Sequence, residues 1–510
     1  MLARVQSYLL QGIEALSCEI EIDLDDRSLN RDTIVGLPDA AVKESLERVK
    51  AATSNSGYAL PSGRLLVNLA PADVRKEGPA YDLPIAIGML AVQGVVGFDG
   101  RGTAGLDLRK YLLAGELALD GRLRPIKGAI ALASLARAKG ASGVILPSEN
   151  ALEAALVPGV EAIGAGTLSE VVGVLRGEIE PTPTPAPDIE AMLSTATPPI
   201  DFAEVRGQES VKRAIVVAAA GGHNLLMIGP AGSGKSMMAK ALPGVLPPLT
   251  PDEAIEITRI YSAAGALPPG EGLIRIRPVR APHHTASAAA IVGGGMVPRP
   301  GEISLAHRGV LFLDELPEFP RFVLETLRQP MEDHVVTIAR ASGSIRFPAS
   351  FMLVAAMNPT TSGDVRPGES GRREMERYVG RLSGPLLDRI DLHVEAPAVG
   401  WQQLQRAPDG SSTAMMREQV AGARQRQIER QGIGTPNSRL SGKQLDRCAE
   451  LEGSSRSILG QALAELGLSA RAYDKIRRVA RTIADLAGVE RIEPAHVAEA
   501  VGYRLLDRKM

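Results

Sequence analysis

The chain has 510 residues, 45% of them hydrophobic and 23% charged, a composition that is typical of globular protein and sufficient for about three domains. Its net charge of -2 excludes a global basic field, so contacts with nucleic acid would have to come from local patches. Cys18 and Cys448 are the only cysteines, which excludes a cysteine-rich zinc site and indicates a reducing compartment. Neither a leader peptide nor a membrane-length apolar run is evident, so we expect a cytoplasmic protein without a membrane partner.

Residues 1–177 alternate short apolar runs with helical patterns, which predicts an α/β or α+β domain. The apolar runs predict strands at 65–69, 111–114 and 143–146. Apolar residues at helical spacing predict helices at 40–52, 84–95 and 130–138.

Two segments of this domain, Lys76–Pro84 and Gly115–Ile126, resemble the core of the Lon protease domain. That family uses a Ser–Lys dyad, with the serine just after a Gly-Pro pair and the lysine a few residues after a Pro-Ile pair. Here Ala80 and Ile130 occupy those positions, so the resemblance implies a Lon-like fold without the nucleophile and base of a protease. We expect a scaffold or binding domain and not an active protease. The nearby Lys127 leaves a shifted alignment as the alternative.

A proline-rich segment follows this domain. Four prolines fall within residues 181–187, and proline favours extended polyproline geometry. The sequence therefore predicts a linker at 178–200, a core domain at 201–400 and a helical domain at 401–510.

The central motif is a glycine-rich loop between the apolar run Leu225–Ile228 and a predicted helix. It fits the pattern G-x-x-x-x-G-K-[ST], in which backbone N–H groups face phosphate oxygens, the lysine contacts the β- and γ-phosphates of ATP, and the hydroxyl binds Mg²⁺. An ordinary glycine-rich turn is the alternative. The predicted nucleotide-binding residues are Gly229, Pro230, Ala231, Gly232, Ser233, Gly234, Lys235 and Ser236.

A second apolar run, at 309–313, ends on two carboxylates. We predict that Asp314 binds Mg²⁺ together with Ser236, and that Glu315 orients and activates the attacking water. The alternative is a pair of helix-capping carboxylates.

A third apolar run, at 351–357, ends on Asn358. A polar side chain at the end of a central strand, beside the nucleotide, can hydrogen-bond the γ-phosphate or the attacking water. The alternative is an asparagine that begins a turn.

An arginine near the end of the core can complete the active site of a neighbouring subunit as an arginine finger. We predict that Arg389 has this role, with Arg381 as the reserve. The alternative is an ion pair within the chain, from Arg389 to Asp388 or Asp391.

The segments Arg277–Thr285 and Pro300–Phe319, together with these motifs, resemble the magnesium-chelatase-like AAA+ ATPases of the ComM type. The resemblance covers nearly the whole chain, in the order of a Lon-like domain and a helix-2-insert ATPase. It implies a hexameric ring that drives branch migration of DNA in natural transformation. In AAA+ ATPases the segment ahead of the glycine-rich loop covers the adenine, which implies that role for Val205, Gly207 and Gln208.

The region 401–510 is predicted to be helical and resembles the lid domain of AAA+ ATPases. The segment 468–471 occupies the place of the sensor-2 motif of such lids. The resemblance implies that Arg471 reaches the γ-phosphate and couples the nucleotide state to the lid angle.

Many relatives of this family carry clustered cysteines after the sensor asparagine, but residues 360–373 contain none, so we expect no zinc. His283 and His284 have no evident third metal ligand in the sequence. We expect them to form hydrogen bonds at a functional turn, with metal binding as the alternative.

Two insertions provide candidate contacts with a polymer. Residues 250–305 exceed a simple crossover and contain three consecutive glycines at 293–295, and the alternation at 334–347 predicts a β-hairpin. Arg340 and Arg346, on either side of the hairpin turn, could bind DNA phosphates without reading base sequence. The alternative is a pair of solvated arginines on an exposed edge.

The sequence thus predicts an α/β protein with a Lon-like domain, an AAA+ core with a parallel sheet, and a helical lid. Its expected ligands are ATP and Mg²⁺, and its expected function is that of an ATP-hydrolysing ring motor on DNA. The rival functions are a magnesium-chelatase-type subunit that remodels a protein partner, an ATP-dependent protease and a nucleotide-switched scaffold.

Overall fold

The computed structural model describes residues 2–25, 31–97, 106–268, 270–295, 297–340, 343–360, 375–400, 410–467, 469–504 and 506. The chain divides into two units. The first comprises Met1–Ser194, Pro251–Arg275 and Met296–Arg299, and the second comprises Thr195–Thr250, Ile276–Gly295 and Pro300–Met510.

The first part of the chain alternates strands and helices. Its strands are β1 (Leu2–Gln11), β2 (Glu14–Asp25), β3 (Thr33–Val35), β4 (Arg64–Ala70), β5 (Tyr111–Leu113), β6 (Glu116–Leu117), β7 (Leu123–Arg124), β8 (Gly143–Pro147) and β9 (Glu161–Ala165). Its helices are α1 (Ala40–Lys43), α2 (Ser45–Asn55), α3 (Asp82–Val92), α4 (Ala129–Lys139), α5 (Ser148–Ala154), α6 (Leu168–Arg176) and α7 (Ile189–Ser194).

Most of these strands form one mixed sheet. Among the described residues its order is β3-β4-β2-β1-β5-β8-β9. The strands β1 and β2 form a long antiparallel hairpin, and β5, β8 and β9 continue the sheet in parallel. Helix α3 packs on β1 and β2, and every one of its residues is buried. Gly88 permits this contact, because a Cβ atom there would lie 2.2 Å from Cδ1 of Ile22.

One predicted helix of this part is interrupted. The sequence predicts a continuous helix at 40–52, but the structure has two helices, α1 and α2, on either side of Glu44. The guanidinium of Arg48 donates to the carbonyl oxygen of Ala41 at 3.1 Å. At the break, this carbonyl is therefore hydrogen-bonded to a side chain. The same guanidinium is held by the buried Asp82, at 2.9 Å, which ties the break to α3.

The second part of the chain contains the glycine-rich loop. Its strands are β10 (Leu225–Ile228), β11 (Val279–Arg280), β12 (Gly293–Gly294), β13 (Arg299–Pro300), β14 (Val310–Leu313), β15 (Val335–Arg340), β16 (Gly343–Pro348), β17 (Met352–Met357) and β18 (Leu392–Glu395). Its helices up to residue 387 are α8 (Glu209–Gly221), α9 (Lys235–Ala241), α10 (Pro251–Ala264), α11 (Ala288–Val292), α12 (Glu302–Leu305), α13 (Arg321–Thr326), α14 (Arg328–Asp333) and α15 (Gly384–Leu387).

The C-terminal region of the second unit is helical. Its helices are α16 (Thr413–Gln431), α17 (Gly442–Cys448), α18 (Gly453–Leu466), α19 (Ala470–Ala487) and α20 (Pro494–Gly502). Among the described residues, no helix is long and apolar enough to cross a membrane.

The core sheet of the second unit has the order β11-β14-β17-β10-β18, and each adjacent pair is parallel. The strands β10, β14 and β17 are buried along their whole length, which explains why their sequences are continuous apolar runs. The predicted α/β class, with a parallel core sheet and a helical C-terminal region, is confirmed. Because parallel strands end at the same edge, the residues that follow β10, β14 and β17 meet there.

Helix α10 lies in the middle of the predicted core but belongs to the first unit. Its Ser262 hydrogen-bonds the buried carboxylate of Glu153, which also accepts from the backbone N–H of Ile130 at 2.9 Å. The backbone N–H of Gly128 donates to the carbonyl oxygen of Ser262 at 3.2 Å. The segment that connects α9 to β11 of the core sheet therefore contributes a helix to the first unit.

Candidate nucleotide-binding site

The glycine-rich loop joins β10 to α9, as the sequence predicts. Gly232 and Gly234 have φ angles of 78° and 86°, a left-handed conformation that favours glycine. Gly229 is required by close packing instead, since a Cβ atom there would lie 2.0 Å from the carbonyl oxygen of Ala396, just after β18. These glycines allow the loop to curl over the end of the sheet and to lead into the N-terminus of α9.

Lys235 begins α9 and its side chain is buried. Its Nζ donates to the carbonyl oxygens of Gly229, at 2.7 Å, and Pro230, at 2.8 Å. It also lies 3.4 Å from Oγ of Ser233 and 3.3 Å from Oδ1 of Asn358. Burial lowers the pKa of Lys235, while the charges of Asp314 and Glu315 act in the opposite direction. This ammonium is partly desolvated, and within the described residues its hydrogen bonds all go to uncharged oxygens.

Ser236 and Asp314 meet across the sheet edge. The Oγ of Ser236 donates to Oδ2 of Asp314 at 2.6 Å. Strand β17 lies between the strands that precede these two residues, so the contact depends on the strand order and not on closeness in sequence. A hydroxyl and a carboxylate at this place are suitable Mg²⁺ ligands beside a triphosphate.

Glu315 follows Asp314 in a left-handed conformation, with φ of 52°. Its backbone N–H donates to Oδ1 of Asp314 at 3.0 Å, and its side chain is exposed. Glu315 Oε2 lies 3.3 Å from Nδ1 of His284, which follows the neighbouring strand β11. An unusual φ at a non-glycine residue indicates that the surrounding structure fixes the backbone at this point.

The pairing of His284 with Glu315 is a feature that the sequence reasoning missed. His283 instead has a local partner: its Nδ1 accepts from the backbone N–H of Thr285 at 3.3 Å and lies 2.9 Å from Oγ1 of the same residue. The two imidazole rings lie 4.1 Å apart, and that of His284 also lies edge-on to Phe319. The pair of adjacent histidines in the sequence was the available signal.

Asn358 follows β17, which is directly beside β10 in the sheet. Ile228 is paired with Met357, so the residues that follow them, Gly229 and Asn358, are neighbours at the sheet edge. The contact of Asn358 with Lys235 therefore places an amide beside the glycine-rich loop, where a sensor residue would act.

Gln208 connects the segment ahead of α8 to the glycine-rich loop. Its Nε2 donates to the carbonyl oxygens of Ser233, at 3.2 Å, and Pro397, at 2.6 Å. Its Oε1 is buried without a hydrogen-bond partner within the part of the chain that the structure describes. Such an acceptor fits a nucleotide base that offers an amino group. Gly207 has a φ of 64° and Val205 is buried, so this segment is a folded strap and not a free loop.

The phosphate-binding and metal-binding groups at this site thus fit ATP and Mg²⁺.

Comparisons with known proteins agree with a nucleotide-binding site of this kind. Three family models match the chain: subunit ChlI of Mg-chelatase over residues 20–150, magnesium chelatase subunit ChlI over 201–404, and its C-terminal model over 410–504. Competence protein ComM of Haemophilus influenzae is 43% identical over 99% of this chain and 98% of its own length. The chain belongs to the ComM-type, magnesium-chelatase-like family of AAA+ ATPases.

Other relatives extend this family. The uncharacterized protein YifB of Escherichia coli is 42% identical over 99% of this chain and 98% of its own length. The magnesium-chelatase 38 kDa subunit of Rhodobacter capsulatus is 28% identical over 39% of this chain and 56% of its own length. AAA+ proteins of this kind generally hydrolyse ATP with Mg²⁺, in agreement with the residues at the sheet edge.

The finger candidate Arg389 of this AAA+ core follows α15. Its Nη2 is paired with the carboxylate of Glu332, and its Nη1 donates to the carbonyl oxygen of Pro385 at 2.6 Å. The ion pair that we considered as an alternative, with Asp388 or Asp391, is not the one in the structure, because these carboxylates face Arg471 and Lys475. The reserve candidate Arg381 pairs with Glu318 at 2.8 Å.

Arg471 is the second residue of α19, and its side chain is 74% exposed. Its Nη1 lies 3.6 Å from Oδ2 of Asp388, so in this conformation the guanidinium contacts the residue next to Arg389.

The predicted hairpin forms as β15 and β16, which pair in antiparallel register. Arg346 is exposed and is paired with Thr337. Arg340 ends β15, and its side chain lies outside the described residues. The hairpin turn lies outside them as well.

Ala80 and Ile130 are the residues that the predicted Lon-like alignment places at the Ser–Lys dyad. The carbonyl oxygen of Ala80 accepts from the N–H of Gly115 at 2.9 Å, and Ile130 is buried at the start of α4. Burial lowers the pKa of Lys127, the alternative lysine, and the charge of Arg299 lowers it further. Within the described ranges, no three His, Cys, Asp or Glu side chains are placed to hold a metal ion together.

Proposed function

We propose that this protein is an ATP-driven DNA motor, a ring of six identical subunits that moves DNA branch points during natural transformation. The observation that carries the proposal is the match, over nearly the whole chain, to a relative named for competence. The contact between Ser236 and Asp314, at 2.6 Å, supports it, because a hydrolytic Mg²⁺ site needs both groups at one place.

In the proposed reaction, Lys235 leaves the loop carbonyls and pairs with the β- and γ-phosphates of ATP. This exchange is favourable because the ammonium is partly buried and its present acceptors are uncharged. Ser236 and Asp314 would hold Mg²⁺, which neutralises phosphate charge when bound. Glu315 accepts a proton from the attacking water, and Asn358 holds that water or the γ-phosphate.

The finger Arg389 would act on the nucleotide of a neighbouring subunit. Its partner Glu332 is 61% exposed, but the Arg389 side chain is only 15% exposed, so the guanidinium would have to leave a largely buried position to contact a phosphate. Arg471 would likewise have to leave Asp388 to contact ATP, but that pair is largely exposed. Both arginines are next to Asp388, so we propose that they respond together to the neighbouring subunit.

The hairpin of β15 and β16 is the proposed DNA contact. Arg346 is exposed on β16, and a two-stranded ribbon can place such a side chain against a phosphate backbone. Since the protein as a whole is slightly acidic, such local arginines would provide the electrostatic attraction. Arg340 is proposed as the second phosphate contact.

The proposal is tested by the steady-state ATPase rate in the presence of single-stranded, duplex, forked and four-way-junction DNA. We expect stimulation by DNA, greatest with the junction. Glu315→Gln is the control, in which hydrolysis falls at least about 100-fold because the amide cannot accept the proton. Unchanged ATP hydrolysis with every DNA would overturn the proposal.

A second candidate is a chelatase-type subunit that remodels a protein partner. It is favoured by the match to the magnesium-chelatase 38 kDa subunit, which covers 39% of this chain. An ATPase rate that is unchanged by DNA but rises when a partner protein is added would support this function instead.

A further inference from the structure

The segment Asp388–Asp391, which we call the finger loop, is bonded to the C-terminal helical region. The Nζ of Lys475, on α19, lies 3.2 Å from Oδ1 of Asp391 and 3.3 Å from the carbonyl oxygen of Ile390. The Nη1 of Arg504 donates to the carbonyl oxygens of Ile390, at 2.7 Å, and Asp391, at 3.2 Å. Two cations from the helical region therefore hold the backbone of the loop that carries Arg389.

The other side of the finger loop is bonded to the core sheet through Asn224, the residue before β10. Its side-chain Nδ2 donates to the carbonyl oxygen of Arg389 at 2.9 Å, and its backbone N–H donates to Oδ2 of Asp391 at 3.1 Å. Its Oδ1 accepts from the N–H of Leu353, in β17, at 2.8 Å. The base of the finger is thus linked to the strands that lead to the glycine-rich loop and to Asn358.

These contacts at the base of the finger are largely buried. The side chains of Asp391 and Lys475 are 12% and 11% exposed, and Arg504 is almost fully buried. Burial by itself raises the pKa of Asp391, but the charges of Lys475 and His223 hold the pKa well below its usual value. Removing one charge of a buried pair leaves the other uncompensated, so the loop would shift. The Arg389 side chain is itself only 15% exposed, but its partner Glu332 is 61% exposed, so this outer ion pair is more accessible to solvent than the contacts at the base of the loop.

We propose that Lys475, through Asp391, is a positioning residue for Arg389, so that the helical region of one subunit sets the finger that acts on its neighbour's ATP. This inference rests on the proposed function, in which Arg389 acts between subunits. Lys475 has no contact with the glycine-rich loop among those that the structure describes. Its effect on hydrolysis should therefore appear in the neighbouring subunit's site and not in its own.

The test uses Lys475→Met, which keeps the apolar stem and removes the charge. We expect a fall in kcat of at least tenfold with an unchanged KM for ATP, and recovery in Lys475→Arg. Lys443→Ala, at an exposed position on α17, is the control and should match the wild type. Should Lys475→Met fail to fold, Asp391→Asn tests the same contact from the other side, with the same expected loss.

Mixing of subunits separates positioning from a general structural defect. Lys235→Ala subunits cannot use their own ATP but carry an intact finger, so mixing them with Lys475→Met subunits should restore hydrolysis. Mixing Arg389→Ala subunits with Lys475→Met subunits should not restore hydrolysis, because neither variant provides a correctly placed finger. The inference is overturned if Lys475→Met keeps the wild-type kcat, or if Lys235→Ala subunits rescue Arg389→Ala but not Lys475→Met. Failure of Lys235→Ala to rescue Arg389→Ala would contradict the finger between subunits, and thus the proposed function itself.

Discussion

The Nδ1 atom of His284 lies 3.3 Å from the carboxylate oxygen of Glu315, the residue proposed to activate water. Glu315 is held from two directions, since its backbone N–H is also bonded to Asp314. A carboxylate that is paired with an imidazole is less available to accept a proton from water. The structure therefore shows a conformation in which the proposed base is engaged elsewhere.

Replacing His284 should release this base. We expect His284→Ala to raise the basal ATPase rate about two- to fivefold, because a half-exposed pair of this kind is worth about 0.5–1 kcal/mol. His283→Ala is the matched control, since His283 contacts Thr285 and the ring of His284 but, among the contacts described, not Glu315. A tenfold fall in the rate of His284→Ala would mean that His284 orients Glu315 for catalysis.

Ser236 should determine the magnesium requirement. Its hydroxyl is 2.6 Å from Asp314, so Ser236→Ala removes one of the two protein groups proposed for the metal. We expect the Mg²⁺ concentration for half-maximal ATPase to rise by about tenfold, as for the loss of one hydrogen-bonded ligand worth about 1.4 kcal/mol. Ser236→Thr keeps the hydroxyl and should behave as the wild type. An unchanged Mg²⁺ titration of Ser236→Ala would place the metal elsewhere.

Arg346 should contribute to DNA affinity in a way that does not depend on base sequence. We expect Arg346→Ala to weaken binding equally for DNAs of different sequence and to reduce the slope of log K against log salt by about 1 per engaged subunit. Arg491→Ala, which removes an arginine that is 82% exposed in the helical region, is the control. Equal effects of the two substitutions would show that the hairpin has no special role.

His334 should make the second unit sensitive to acid. It follows α14 at the base of the hairpin, and desolvation, with the charges of Arg439 and Arg308, lowers its pKa to about 4 from 6.5. Between these values the unfolded chain binds the additional proton, so stability falls as pH decreases from about 6.5 to 4 and is unaffected by this group at higher pH. Because His334 is partly exposed, we expect this group to lower the free energy of unfolding by about 2 kcal/mol over that pH range.

His334→Asn tests this pH dependence. Asparagine tolerates the left-handed conformation, with φ of 56°, and does not titrate. We expect denaturant unfolding of the variant to show a smaller loss of stability between pH 7 and 4.5 than the wild type. Parallel pH profiles of the two proteins would assign the acid sensitivity to other groups.

The core strands could be predicted because their physical environment is simple. β10, β14 and β17 are buried on both faces, so each appears in the sequence as an apolar run, and the runs are followed by Gly229, Asp314 and Asn358. The hairpin of β1 and β2 was not predicted, although the alternation of acidic residues with Ile20, Ile22 and Leu24 in β2 was an available strand signal. The break at Glu44 was missed because it depends on Arg48 and Asp82, which are far apart in sequence.

The side-chain partners of the site could not be predicted for a similar reason. The contact of His284 with Glu315 follows from the pairing of β11 with β14, and sequence periodicity does not give strand order. Arg389 was considered as a partner of the nearby Asp388 or Asp391, but the structure pairs it with Glu332, on α14. Lys475, whose side chain is 11% exposed, is paired with Asp391, which lies outside its helix. The pattern of charges along that helix does not indicate this partner.

The most direct test of the proposed DNA motor is a branch-migration assay with a labelled four-way junction, ATP and Mg²⁺. We expect the wild type to convert the junction into its separated duplex products, and Glu315→Gln to bind ATP without converting the junction. Steady ATP hydrolysis by the wild type with no conversion of the junction would contradict a DNA motor.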